Sequence, residues 1–230
     1  DGTRISYTGN ARDPKYFDPY VIDVKTGKST RVHEEAANYY ARGFSPKDRY
    51  LLLDRSDSNF NNNLYAYELA TGQLIDLTPH PGQDARFESA VWTPDEKSLY
   101  VVTDKGRDFM NLARIDMADR SLTFLEERKW DTEGVRLSED GQLCAVLTNV
   151  DGASELKLFR GAPFGPPVAG PPLADGLIGN VTFSRDNSFI VFSYASTTKP
   201  SDIYRWDISA GRLTQLTRSS TNGIPADSFV

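Results

Sequence analysis

The chain has 230 residues, with 26 Lys and Arg against 32 Asp and Glu, a formal charge of −6 and a pI near 5.0. That balance argues against a nucleic-acid footprint, which needs clustered basic side chains, while 39% hydrophobic and 11% aromatic residues supply a packed core and argue against disorder. No apolar run approaches the roughly 18 residues of a membrane span, and a lone Cys144 excludes a disulfide scaffold and fits a reducing, cytoplasmic setting.

In chain order, Asp1-Gly2-Thr3-Arg4-Ile5 matches Asp140-Gly141-Gln142-Leu143-Cys144 and opens a unit whose innermost strand is expected before Asp1. With no initial Met and no signal-peptide pattern, the chain is expected to be a piece of a longer protein. The second unit reads as four strands, roughly Tyr40–Ser45, Tyr50–Asp54, Leu64–Leu69 and Gln73–Leu77, with Thr71-Gly72 as a hairpin turn. Its polar stretch Asp54–Asn63 reads as a solvated hairpin, as does Asp104–Asp108 in the next unit. His33 and His80 fall at joins between units, and His80, between Pro79 and Pro81, is expected in a surface turn. Trp92-Thr93-Pro94-Asp95 opens the third unit, Leu137-Ser138-Glu139-Asp140 the fourth and Phe183-Ser184-Arg185-Asp186 the fifth. In the fourth, the Pro-rich stretch Gly161–Pro172 replaces the turn and is expected to be an extended insertion on the rim.

The hydroxyl residues of this pattern stand at 45, 93, 138 and 184, and a second track runs through Tyr20, Tyr65, Ala113, Lys157 and Tyr204. Both repeat about every 46 residues, and four strands per unit at that period is the signature of a propeller blade. The expected fold is all-β, a propeller of four-stranded blades with five repeats over residues 1–217, the first incomplete. Phe44, Trp92, Leu137 and Phe183 occupy one position and are expected to pack blade against blade. Cys144, inside an apolar run, is expected to be an inert buried thiol.

The string Gly43-Phe44-Ser45-Pro46-Lys47-Asp48, with Leu64-Tyr65, Thr71-Gly72 and Leu77-Thr78, resembles the TolB-type propeller repeat. That repeat builds TolB and the N-terminal propellers of prolyl oligopeptidase family serine peptidases, including acylaminoacyl and dipeptidyl peptidases. The tail 218–230, with Asn222-Gly223-Ile224-Pro225, looks like the segment where such peptidases enter their α/β-hydrolase domain, which favours the peptidase branch. The resemblance implies seven blades. The chain is therefore either part of a seven-bladed ring, the favoured reading, or a five-bladed ring closed by its tail. An open fragment would self-associate through bare blade faces and edges.

The chain carries no Gly-x-Ser-x-Gly elbow and no metal-ligand spacing, so no catalytic residue, metal or cofactor is assigned. Five residues before each hydroxyl, at the expected mouth of the channel, stand Tyr40, Glu88, Glu133 and Gly179. Tyr40, Glu88 and Glu133 are the candidate substrate-binding residues, since paired carboxylates suit a cationic peptide N-terminus. Dipeptidyl peptidases are similar in using propeller acids for that amine, though within a different local motif. The implied function is a non-catalytic propeller that gates and orients peptide substrate for a hydrolase domain of the same polypeptide. The alternatives are a stand-alone TolB-like binding propeller, periplasmic if preceded by a signal peptide, and a five-bladed glycosidase with Glu88 and Glu133 as its acid pair.

Overall fold

The computed structural model describes residues 2–220, 222–225 and 228. Among these it is all β, with nineteen strands and no α-helix. The chain forms two compact units, Asp1–Asp108 with Ala113–Thr123, and Phe109–Leu112 with Phe124–Val230.

Every sheet is an antiparallel meander in chain order. The first has three strands, β1 (Arg4–Asp13), β2 (Tyr16–Asp23) and β3 (Ser29–Arg31). The second has four, β4 (Asn38–Phe44), β5 (Tyr50–Ser58), β6 (Asn61–Glu68) and β7 (Leu74–Asp76). The third runs through β8 (Phe87–Trp92), β9 (Ser98–Thr103), β10 (Asn111–Asp116) and β11 (Leu122–Phe124). The fourth comprises β12 (Thr132–Leu137), β13 (Leu143–Val150), β14 (Ala153–Arg160) and β15 (Pro167–Val168). The fifth comprises β16 (Leu177–Phe183), β17 (Phe189–Ser196), β18 (Lys199–Asp207) and β19 (Arg212–Gln215).

The recurring hydroxyl has a definite task. Ser45, Thr93, Ser138 and Ser184 each accept, through the side-chain oxygen, the backbone N–H five residues on, at 2.9, 3.1, 2.9 and 3.1 Å. Three residues after the hydroxyl the backbone turns left-handed, at Asp48, Glu96, Gly141 and Asn187. In three of the four turns the hydroxyl in turn donates to an aspartate two residues on, Asp95, Asp140 or Asp186. The motif therefore builds the tight turn between the first two strands of each four-stranded sheet.

Each second strand supplies core. Leu51 and Leu53 are fully buried and pack with Tyr39, Phe44 and Val21 in the first unit. In the second unit Ile190, Phe192 and Trp206 pack with Ala145, Leu158 and Phe183. Trp92 is buried, and the Arg4 guanidinium lies over the Phe44 ring at 5.2 Å. Leu137, at the end of β12, is half-buried.

Three sequence expectations need correction. Asp54–Asn63 is a hairpin with an exposed tip at residues 57–60, but it is not solvated throughout: β5 runs on to Ser58, β6 starts at Asn61, and Asp54 at its base is buried. Cross-strand pairs Asp54↔Leu64 and Arg55↔Asn63 continue the ladder, so pairing overrides the turn preference of Asp and Asn. His80 is buried too, its ring packed against Phe87 with centroids 5.2 Å apart. The stretch Gly161–Pro172 is not a free insertion. It supplies β15, which pairs with Leu158 and Phe159, and Ala169 C=O accepts from Trp206 Nε1 at 3.1 Å. Ala226, Asp227, Phe229 and Val230 of the tail lie outside the described residues, as do Asp1 and Thr221.

Candidate functional site

The first strand of every four-stranded sheet carries a bulge. Register shifts occur between Ala41 and Gly43, Glu88 and Val91, Thr132 and Gly134, and Gly179 and Thr182. A bulge leaves one residue without a cross-strand partner and re-aims its side chain, a device common beside binding sites. Glu88 and Glu133 stand at these bulges, whereas Tyr40 pairs regularly with Asp54. Glu133 is the extra residue of β12, between Thr132↔Thr148 and Gly134↔Leu147. Glu88 is the last regular partner, opposite Val102, before Ser89 turns left-handed. Both carboxylates are exposed.

Their surroundings differ. Glu133 Oε1 accepts from Asn149 Nδ2 at 3.1 Å, which holds the carboxylate over β13. Glu88 belongs to the first unit and Glu133 to the second. Tyr40 is half-buried and stacked on Phe17, centroids 5.5 Å apart. Its ring also faces the Arg42 guanidinium at 5.9 Å.

Sequence reasoning missed Arg42. It is the extra residue of the β4 bulge, 55% exposed, and its Nε and Nη2 both donate to Asp54 Oδ2. Asn62 Nδ2 donates to the other oxygen of Asp54 at 2.8 Å. The bulge of the second sheet thus carries a cation as its extra residue, whereas that of β12 carries the Glu133 carboxylate. The available signal was Arg42 lying three residues before the hydroxyl marker, but alternation alone does not reveal a bulge.

Elsewhere the first unit holds a 490 Å³ cavity bounded by Arg55, Tyr65, Asp76 and His80. Beside it, burial and the Glu35 carboxylate push the Tyr39 hydroxyl up from its ordinary value. Tyr39 donates to Glu35 Oε2 at 2.7 Å, and that bond holds the Glu35 carboxyl below the usual range. No cluster of three or more His, Cys, Asp or Glu side chains suited to a metal ion occurs among the described residues. The Cys144 thiol is fully buried in β13, and burial pushes it up to about 12.

Residues 24–219 match the family described as prolyl oligopeptidase, N-terminal beta-propeller domain. The chain is 26% identical over 220 residues to dipeptidyl aminopeptidase BIII of Pseudoxanthomonas mexicana, covering 90% of this chain and 30% of that protein. Its fold is similar to a chain from a structural study of two prolyl endopeptidases, with TM-score 0.77, 20% identity and coverage of 95% of this chain and 34% of that one. It is also similar to TolB from Acinetobacter baumannii, with TM-score 0.67, 16% identity and coverage of 95% and 53%. The chain therefore spans about a third of the length of these peptidase relatives. With its repeated four-stranded meanders and a match across most of its length, the chain belongs to the prolyl oligopeptidase N-terminal β-propeller domain family.

Proposed function

We propose that the chain is the non-catalytic propeller of a serine peptidase, gating and orienting peptides for an α/β-hydrolase domain of the same polypeptide. The observation that carries this reading is the family match over residues 24–219 in a chain spanning 30% of its peptidase relative. The absence of a Gly-x-Ser-x-Gly elbow from the 230 residues supports the same division of labour. In this reading Glu88 and Glu133 are each, separately, a candidate to receive a peptide amine through charge-assisted hydrogen bonds.

The likeness to TolB favours a second reading, a stand-alone propeller that binds proteins. One experiment separates the two. The native protein is isolated with an antibody to this domain, treated with a fluorophosphonate probe and weighed intact. A labelled chain far heavier than 25.6 kDa supports the peptidase reading. An unlabelled chain overturns it and leaves the binding propeller.

A further inference from the structure

Past the fifth sheet the chain makes a tight turn at Asn222-Gly223, with φ of 52° and 85° at the two residues. An Asn-Gly pair adopts consecutive positive φ values at low cost, since Gly has no Cβ and Asn tolerates the left-handed region. Asn222-Gly223 is the one Asn-Gly pair in the 230 residues, and both members are exposed.

The pair also carries a reaction of its own. The backbone nitrogen after an asparagine attacks the side-chain amide carbon and displaces ammonia, closing a five-membered imide; this is what makes asparagine thermolabile. A Cβ on the following residue crowds the attack, a hydrogen bond on the attacking N–H ties it down, and an unpolarised amide resists it. All of these restraints are lifted at Asn222. Gly223 has no Cβ, and its N–H has no hydrogen-bond partner among the described residues. The Ser220 hydroxyl donates to Asn222 Oδ1 at 3.3 Å, which polarises the carbon under attack and stabilises the oxyanion that forms there. The same hydroxyl accepts the Asn222 N–H at 3.0 Å and is held in place by it.

Two other exposed turns show the contrast. Asn187 precedes Ser188, whose N–H is held by Asp186 Oδ1 at 3.1 Å. Asn59 precedes Phe60, whose side chain crowds the approach and whose N–H is held by Ser58 Oγ at 3.1 Å. Asn222 further borders a 330 Å³ cavity whose wall includes Thr198, Lys199 and Ser220. Lys199 is exposed and has no ion-pair partner among the described residues.

We propose that Asn222 is a self-modifying site, which deamidates without an enzyme and yields a carboxylate that pairs with Lys199 across this cavity. The Gly223 nitrogen gives its proton to water and bonds to Asn222 Cγ, and the side-chain nitrogen leaves as ammonia. Water then adds to either imide carbonyl and breaks that carbon's bond to the shared nitrogen. One opening leaves aspartate; the other leaves isoaspartate, in which the chain runs through the former side-chain carbonyl. Nothing is oxidised or reduced, and the net change is one water consumed and one ammonia released. A neutral turn just beyond the last strand thereby becomes anionic. The inference needs no hydrolase domain and stands apart from the peptidase reading.

The test incubates the chain at neutral pH and follows each asparagine by peptide mass spectrometry, with isoaspartate counted by enzymatic methylation. Asn222 is expected to convert well ahead of Asn187 and Asn59, giving both products. Ser220→Ala slows that conversion about fivefold, the worth of one hydrogen bond, and in urea, where the turn is lost, it slows nothing. Gly223→Ala puts a Cβ beside the attacking nitrogen and slows it further. Acetylation of Lys199, measured against the exposed Lys25, falls as Asn222 converts and falls likewise in Asn222→Asp. Conversion of Asn222 no faster than that of Asn187, or an unchanged rate in folded Ser220→Ala, overturns the site. Lys199 acetylation unchanged in Asn222→Asp overturns the pairing. Should a variant not fold, the wild-type order of conversion and the fall in Lys199 acetylation still decide.

Discussion

Tyr50 and Trp92 stack face to face, ring centroids 5.5 Å apart and planes 7° apart, joining the first residue of β5 to the last of β8. On Tyr50 the Arg49 guanidinium adds a cation at 4.8 Å from the ring centroid. Trp92 Nε1 is buried with no hydrogen-bond partner among the described residues, so the indole serves here as a surface for packing. The second and third sheets are thereby joined by aromatic faces at the turn end of both.

Trp92→Ala is expected to cost about 3–5 kcal/mol, the usual loss for a buried large aromatic. Trp92→Phe keeps a ring on Tyr50 and removes the orphan N–H, so its loss is smaller, about 1–2 kcal/mol. Urea unfolding of the two variants beside the wild type measures both. Equal losses would show that the indole's extra volume, rather than the stacked face, carries the stability.

Asn62 serves both backbone groups of Phe87 and one oxygen of Asp54. Asn62→Ala leaves these without that partner and is expected to cost about 2–4 kcal/mol. Asn62→Asp is expected to be at least as harmful, because it sets a second carboxylate against Asp54 where an N–H had donated. Thermal melts of the two variants rank them, and an aspartate variant as stable as wild type would contradict this account.

Cys144 is expected to resist thiol reagents in the folded chain, since burial holds the thiol up at about 12. Labelling with a chromogenic disulfide should stay far below one equivalent near neutral pH and reach one only in denaturant. Rapid stoichiometric labelling of the native chain would show that β13 opens readily.

The Asp186 carboxyl is drawn down to about 2 from an ordinary 3.8, first by the Ser184 hydroxyl and then by the Ser188 hydroxyl and backbone N–H. A depressed carboxyl contributes stability above its unfolded value and loses it as pH falls through the folded one. Between about pH 4 and 2 the wild type should therefore lose stability that Asp186→Asn, lacking the charge, does not lose. Denaturant midpoints over that range test the difference, and parallel curves would refute it.

On the proposed peptidase reading, Glu88→Gln and Glu133→Gln, made in the native protein, are each expected to raise KM about tenfold for peptides with a free N-terminus, as expected of a lost charge-assisted bond. N-acetylated peptides should be unaffected. Equal effects on both substrates would remove these residues from amine recognition.

Much of the architecture was legible because its causes are local. The hydroxyl at 45, 93, 138 and 184 makes a bond only five residues long, so its spacing marks the turn of each sheet directly. Apolar runs such as Tyr50–Leu53 lie buried as that pattern implies. Glu88 and Glu133 are candidates by counting back from the same marker, but the bulges beside them are not visible in the sequence, since a bulge is a mismatch between two strands.

His80, Asn61 and Arg42 show what composition hides. Pro79-His80-Pro81 and Asn61-Asn62-Asn63 each have the makeup of a solvated turn, and each is committed by partners 15 to 25 residues away. The Pro-rich stretch after Gly161 likewise becomes a strand through pairing with Leu158 and Phe159. The amino-acid order alone determined the repeat, the turns and the apolar strands, because period and short-range hydrogen bonds are written along the chain. Only the tertiary structure decided which polar side chains are buried and where the bulges aim their charges, because both depend on groups brought together from distant strands.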